Sequence, residues 1–429
     1  MKRLIFVAYT FPPVSTGSAP RNLRLADLLT RNGWQLTVIT PVHSGGLPLD
    51  DSLEDMLPAG IRVLRKGRAA GPSRIGRLLP SAGSRTVGGG RRGLRRFVLE
   101  VLLQPDRYVT WLSSAKSAVM TELREHGADL VVTLGPPHSV HLAGRHAKRT
   151  SGVPWAAYFG DLWARDSNID WENTSRVRRR LVPVYEKMVA TGADGIVTTT
   201  DGSSAYFRDR YGDACPPVFT LWNGVTSAER ERLWNEDGPG IPDGEPVITY
   251  TGFFMGMQSP ESFLRGFALY LRRHPGSGLR FRVVGDLGCY GHLPGELGVE
   301  DRVDLTGRVP FREVRQWQLS SDLLLLALSS EPGSELKNPS KTVEYLLARR
   351  PVLAVAPEGD LTNALDELGT GYSCRPDPEA ICSALEQAVN DIRSGVFRIL
   401  RKPSDLDGRF DMEAGGRELS AFFERLSRG

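Results

Sequence analysis

EPGSELKNPSKTVEYLLARRPVLAVAP, residues Glu331 to Pro357, passes from a loop through a helix into a buried strand. Asn338 suits the N-cap of that helix, because its side-chain oxygen accepts from orphaned amides, and Pro339 suits the first helical position. Ser340 and Lys341 then bring backbone N–H groups to the helix start, and Lys341 adds a cation, so a phosphate group is favoured there. Glu344 lies one turn on, on the same face as Ser340. A carboxylate repels phosphate but accepts hydrogen bonds from ribose or sugar hydroxyls. The pairing suits a nucleotide-sugar; an ordinary capped helix on a sheet is the plainer alternative.

Strand and helix signals alternate on both sides of this segment. Near the start, Arg3–Tyr9 is an apolar strand, Thr10–Ala19 a loop, Arg21–Arg31 a helix and Trp34–Thr40 the next strand, a Rossmann-type unit. Further strands are expected at Leu130–Leu134, Trp155–Tyr158 and Gly195–Thr199. Residues 216–245, with Asn223–Gly224 and many Gly, Pro and Asp, read as a linker. A second series then begins, with strands at Val247–Thr251, Leu279–Val284, Val303–Thr306, Leu323–Ala327 and Val352–Ala356. The fold class is α/β. Two Rossmann-like domains, 1–215 and 246–408, face a central cleft, and a C-terminal helix at 409–429 packs back on the first. Strand carboxyl ends should line the cleft.

With 429 residues the chain is long enough for two such domains. The start, MKRLIFVAYTFPP, has the basic-then-apolar look of a signal peptide, but its apolar part is short and two prolines follow, so a buried strand is the better reading. No apolar run has the length to span a bilayer. Cys215, Cys289, Cys374 and Cys382 lack metal or redox spacing and read as free thiols of a reducing cytoplasm. The net charge of +4 is unevenly spread: residues 56–98 hold no Asp or Glu but eleven Arg or Lys, between Arg62 and Arg96. This basic region reads as a solvated insertion, or as a peripheral contact through 62–96 with an anionic membrane face or an acidic acceptor. It lacks the interleaved aromatics that nucleic-acid binding needs.

Four loops after strands carry candidate chemistry. Thr10–Ala19 offers Gly17 for close backbone approach and hydroxyls including Ser18. Gly135–Ser139 offers His138, which can donate to a sugar hydroxyl or phosphate, or act as a base. Gly160–Asp166 offers Asp161 and Asp166 for hydroxyls or a basic acceptor, and Trp163 to stack on a sugar face; a capped turn over a buried Trp is the alternative. Gly252–Gln258 offers glycine amides to phosphate. There is no serine-hydrolase elbow, Walker A motif or zinc signature. The single DxD, at 405–407, lies away from any strand end.

Taken together, the chain resembles the retaining glycosyltransferases of family 4, with the GT-B fold. The resemblance rests on FVAYTFPPVSTGSAPRNLRLADLLTRNGWQLTVIT, LGPPHSVHLAGRHAKRTSGVPWAAYFGDLW, LWNGVT and PSKTVEYLLARRPVLAVAPEGDLTNAL, in that order. It implies a nucleotide-diphosphate sugar, UDP- or GDP-linked, held mainly by the second domain, and an acceptor held mainly by the first. Glu344 falls on the second glutamate of the family's E-x7-E motif, on the donor ribose. Gly17, Gly252, Phe253, Arg308, Val309, Ser340, Lys341 and Thr342 fall on donor-binding positions. His138 and Lys341 fall on catalytic ones, and Ser18, Asp161 and Trp163 on the acceptor side. No metal and no cofactor beyond the sugar-nucleotide co-substrate is implied.

Two departures stand out. Leu336 replaces the first glutamate of E-x7-E, with Glu331 and Glu335 nearby as sugar-binding substitutes. The Arg and Lys that many members carry after the first strand of the second domain are absent from GFFMGMQS, leaving Lys341 to offset diphosphate charge. The resemblance implies sugar transfer with retention to a hydroxyl or thiol, on a small antibiotic-like precursor or a lipid-linked saccharide. A sugar-nucleotide epimerase of the same fold and a non-catalytic nucleotide-sugar binder are the rivals.

Overall fold

The computed structural model describes residues 2–15, 18–43, 47–69, 103–172, 174–236, 245–254, 257–406 and 408–428. Gly17 and most of the basic region lie outside the described residues.

The first series runs β1 (Lys2–Ala8), α1 (Ser18–Arg31), β2 (Trp34–Val42), β3 (Arg62–Arg68), α2 (Leu112–Glu125), β4 (Leu130–Gly135), α3 (His141–Ser151), β5 (Trp155–Phe159), α4 (Arg176–Ala190), β6 (Gly195–Thr198), α5 (Asp201–Tyr211) and β7 (Val218–Thr220). After α6 (Ser227–Trp234), the second runs β8 (Val247–Phe253), α7 (Glu261–Arg273), β9 (Arg280–Asp286), α8 (Leu293–Glu296), β10 (Val303–Leu305), α9 (Phe311–Leu319), β11 (Leu323–Ala327), α10 (Lys341–Leu347), β12 (Val352–Val355), α11 (Asp360–Leu368), β13 (Gly371–Cys374) and α12 (Pro378–Arg393), and α13 (Met412–Leu426) ends the chain.

These form two parallel sheets, ordered β3-β2-β1-β4-β5-β6-β7 and β10-β9-β8-β11-β12-β13. Central strands such as β1 and β11 read as unbroken apolar runs because helices cover both faces. Each sheet reverses its strand order once, between β1 and β4 and between β8 and β11. The crevice at such a reversal is where ligands of open α/β sheets bind. The four loops singled out by sequence include those that leave β1, β4 and β8, and the segment Ser329–Ser340 leaves β11.

Three differences from the sequence reading have physical causes. β3 forms from RVLRKGR inside the basic region, a charge-rich edge strand in which Arg and Lys hide the alternation. β7 lies in the stretch read as linker, yet pairs with β6 through Ile196, Val197 and Thr198; three residues are too short for a periodic signal. α6 also interrupts that stretch, started by Thr226, whose hydroxyl accepts from the Glu229 amide.

The C-terminal α13 lies on the first sheet's side. Trp34 donates its indole N–H to Ser420 at 2.9 Å, and Phe423 meets the Trp34 ring edge-on. The two sheets are joined by a polar seam along Ser334–Pro339. The Leu336 carbonyl accepts from Thr200 at 2.9 Å and Ser203 at 3.1 Å. Asn223 donates to the Asn338 carbonyl at 2.6 Å, and Asn338 donates back to Asn223 at 3.3 Å. Asp50 accepts the first amide of α9, on Phe311, at 2.7 Å. Among the described residues no helix is long and apolar enough to cross a membrane.

Candidate active site

The first sheet's half of the site is built at the β1–β4 reversal. His138 and His141 are both buried, and the His138 ring stacks on Trp163 with centroids 4.9 Å apart. Beside them Arg21, near the start of α1, donates to the Gly135 carbonyl at 3.3 Å and lies over the Tyr158 ring. Gly160 makes room for it: a Cβ there would sit 1.8 Å from the Arg21 guanidinium. Asp161 follows at once, and Lys337 reaches over from the second domain to Asp161 at 3.5 Å and Asp166 at 3.7 Å.

Burial in this cluster is offset by opposite charge. Burial alone would raise Asp161, but Lys337, then Arg21 and His138, hold it below the ordinary carboxylate value. Asp166 ends up raised, since burial and the Asp161 charge outweigh Lys337. Lys337 is raised against the pull of burial by its two carboxylates. His138 is pushed down to about 3, first by burial and then by the Arg21 and Lys337 charges against Asp161, and His141 is pushed well below its usual value by burial. Both imidazoles are therefore neutral near pH 7.

The second sheet's half is built at the β8–β11 reversal. Lys341 opens α10, and its Nζ donates to the Thr251 carbonyl at 2.7 Å and lies 4.0 Å from the Tyr250 ring centroid. Burial lowers its pKa, partly offset by Tyr345 and Glu344. A Cβ on Gly252 would sit 3.1 Å from that ammonium, so Lys341 and the Gly252 backbone share one spot. Glu344 receives Arg24 of α1 at 3.2 Å, and the same guanidinium binds Glu229 at 2.9 Å. Arg21 and Arg24, one turn apart on α1, thus meet the two halves of the site.

Several residues stand elsewhere than the sequence suggested. Asn338 is not the N-cap; Ser340 occupies that position without a side-chain cap bond, while Asn338 donates its NH2 across the seam to Asn223 and its side-chain oxygen is buried without a partner. Thr342 is fully buried and its amide donates to the Pro339 carbonyl at 3.0 Å, so that amide does not face a phosphate. Trp163 is 2% exposed and packed between His138 and Tyr185, which leaves no free face for a sugar. Glu335 is bound by Arg165 at 2.9 Å and accepts the Gly333 amide at 2.7 Å, while Glu331 lies at the turn that opens this loop. Ser18 shares a 2.7 Å hydrogen bond with Thr10. Arg308, exposed, covers the Phe253 ring at 4.7 Å, with Val309 beside it.

Arg21, Arg24 and Lys337 were not singled out by sequence. Charged residues on a helix or in a loop ordinarily face water, and only the placement of Arg21 beside Pro20 and of Lys337 inside LKNPSK hints otherwise.

Residues 16–219 match the glycosyl transferase 4-like domain family. A D-inositol 3-phosphate glycosyltransferase of Nocardia farcinica is 28% identical over 209 residues, which is 45% of this chain and 44% of that protein. The match thus spans less than half the length of that curated relative. Among solved structures, sucrose-phosphate synthase from Thermosynechococcus elongatus is similar with a TM-score of 0.67 at 15% identity, covering 99% of each chain. Anabaena HepE in complex with UDP-glucose is similar with a TM-score of 0.62 at 16% identity, covering 100% of each chain. At such identities these structures speak for the fold. With a glycosyl transferase 4-like domain over residues 16–219 and two parallel sheets meeting at their order reversals, the chain has the GT-B fold.

Proposed function

We propose that this protein is a retaining glycosyltransferase that moves a sugar from a nucleotide-diphosphate sugar to an acceptor hydroxyl or thiol. The observation that carries the reading is the position of α1. Through Arg21 it reaches the Gly135 carbonyl, ahead of the His138 loop, and Gly160, next to Asp161, and through Arg24 it meets Glu344, so the first domain's polar cluster and the second domain's glutamate share one cleft. The similar HepE was solved with UDP-glucose, which favours a UDP-sugar as donor.

In this reading Glu344 accepts from the donor ribose. Lys341 and the start of α10 stabilise the charge that develops on the leaving diphosphate. Asp161 and Ser18 line the acceptor side. The acceptor attacks on the face the diphosphate leaves, and a leaving phosphate oxygen takes its proton. The acceptor is a small phosphorylated or hydroxyl-rich molecule or a lipid-linked saccharide; the names of the Nocardia relative and of sucrose-phosphate synthase point to the first.

Calorimetry with UDP, GDP, ADP and dTDP tests the donor half. One of them should bind and, at about 100 times its Kd, stabilise the fold by about 2.7 kcal/mol. Incubation of the matching sugar nucleotide with phosphorylated polyols and lipid-linked saccharides should give a product whose anomeric proton coupling matches the donor's. No binding of any nucleoside diphosphate, or an inverted anomer, would overturn the proposal.

A further inference from the structure

The loop Gly135–Val140 leaves one buried polar atom without a partner: Nε2 of His138. Behind that ring stands a chain of contacts that the proposed reaction does not use. His138 Nδ1 lies 3.5 Å from His141 Nε2, and His141 Nδ1 lies 2.8 Å from the Thr133 hydroxyl. Trp155 donates its indole N–H to that hydroxyl at 2.8 Å, and the Ala156 carbonyl lies 3.5 Å from it. Thr133 and His141 are fully buried, as is Trp155. Gly135 lets the two imidazoles meet, since a Cβ there would lie 2.7 Å from His141 Nε2 and 2.8 Å from His138 Nδ1.

The direction of this chain follows from its first member. An indole N–H can only donate, so it takes one lone pair of Thr133 Oγ1. The threonine proton then has two acceptors in reach, and the 2.8 Å contact to His141 Nδ1 is far better than the 3.5 Å contact to Ala156. With Nδ1 accepting, the neutral His141 ring carries its proton on Nε2, which faces His138 Nδ1 across a long 3.5 Å contact where a second N–H on Nδ1 would be opposed. His138 in turn carries its proton on Nε2. The reverse polarity would leave Thr133 with only the long bond to Ala156.

We propose that Trp155, Thr133 and His141 form a one-way relay that fixes His138 in the Nε2–H tautomer, so that His138 offers the cleft a hydrogen-bond donor and not a base. His138 is then the residue that touches substrate, and the other three are positioning residues. The substrate atom it meets is an oxygen acceptor, on the sugar or on phosphate. This deepens the reading of the cleft as a sugar-transfer site and rests on it only for the identity of that oxygen.

Two-bond ¹H–¹⁵N spectra of the full-length protein, labelled at histidine, test the relay directly. The expected result is a protonated Nε2 and an acceptor-type Nδ1 for both His138 and His141, with the His138 Nε2–H changing its environment when UDP-sugar is added. An Nδ1–H tautomer at His138, or a rapidly exchanging mixture, would overturn the relay. Thr133→Val keeps the shape but lacks the proton, and should lose the single His138 tautomer and lower kcat more than it raises KM. Thr133→Ser should restore both, and an unchanged tautomer in Thr133→Val would also overturn the relay. If the tautomers are as expected and no sugar is transferred, the relay stands and the proposed activity fails.

Discussion

Arg24 Nη2 stands 3.2 Å from Glu344 Oε1 and 2.9 Å from Glu229 Oε1, so one guanidinium of the first domain holds the carboxylate assigned to the donor ribose. Arg24 stays charged although buried, because the two glutamates outweigh the cost of burial. The ion pair spans both domains and ties Glu344 to α1.

Glu229 is the closer partner of Arg24, accepting from Nε and Nη2, while Glu344 accepts from Nη2 alone; in the proposed reading only Glu344 is a ligand of the nucleotide. Glu344→Ala should weaken binding of the cognate nucleoside diphosphate at least about tenfold, which is ~1.4 kcal/mol. Glu229→Ala removes the other half of the same ion pair and should leave that affinity within about twofold (~0.4 kcal/mol). Calorimetry on both variants decides; equal losses would make Glu344 a structural residue only.

The turn that leads into the seam can be tested separately. Gly333 has φ +98°, and a Cβ on it would lie 1.9 Å from the Arg165 carbonyl oxygen, a backbone atom of the other domain. Gly333→Ala combines a strained conformation with that clash and should cost about 1–3 kcal/mol in urea denaturation. A cost under ~0.5 kcal/mol, the size of an ordinary surface substitution, would show that the loop and Arg165 move apart freely.

The architecture was legible because parallel strands buried on both faces write themselves as apolar runs, as Leu323–Leu326 does, and because helices fill the intervals. The helix that carries Glu344 was legible after Pro339. What escaped depends on contacts between segments far apart in the chain. Asn338 has the right spacing for a cap, yet its amide faces Asn223, 115 residues away. Trp163 looks like a sugar platform until His138 and Tyr185 are found on its two faces. Lys337 is buried against Asp161 and Asp166, and Arg21 against the Gly135 carbonyl and the Tyr158 ring, and a charge pattern along one segment cannot show that. His141 was set aside as an ordinary helix histidine, and its burial agrees with that; its line of contacts to His138 appears only in three dimensions.

Lys341 separates a diphosphate role from a merely structural one. Its ammonium is held by the Thr251 carbonyl over the Tyr250 ring, close to the Gly252 backbone. If it offsets charge on the diphosphate, Lys341→Met should weaken UDP or GDP binding about tenfold or more while the nucleoside monophosphate changes little. Parallel titrations with the mono- and diphosphate of one base check this. An equal loss for both would place the lysine's effect in the packing of α10.

Lys337 makes the strongest pH-dependent claim. It answers two buried carboxylates, and its removal leaves Asp161 without its largest partner. Lys337→Met should therefore cost about 3–5 kcal/mol near neutral pH. In the native protein Asp161 titrates below its ordinary 3.8, so its share of stability is complete above that value and is lost as pH falls through the lower folded value. Lys337 titrates above its ordinary 10.5, so its share is complete below that value and is lost as pH rises through the higher folded one. In Lys337→Met the orphaned Asp161 is pushed upward by burial and takes up a proton earlier on acidification. The variant's deficit in urea denaturation should then be smaller at about pH 5 than at about pH 7.5. Adding Asp161→Asn should remove part of the deficit at the higher pH, because only Asp166 of the two carboxylates that Lys337 answers then remains to be charged. A deficit that is the same at both pH values, and untouched by the second substitution, would mean that Lys337 acts through its aliphatic packing and not through its charge.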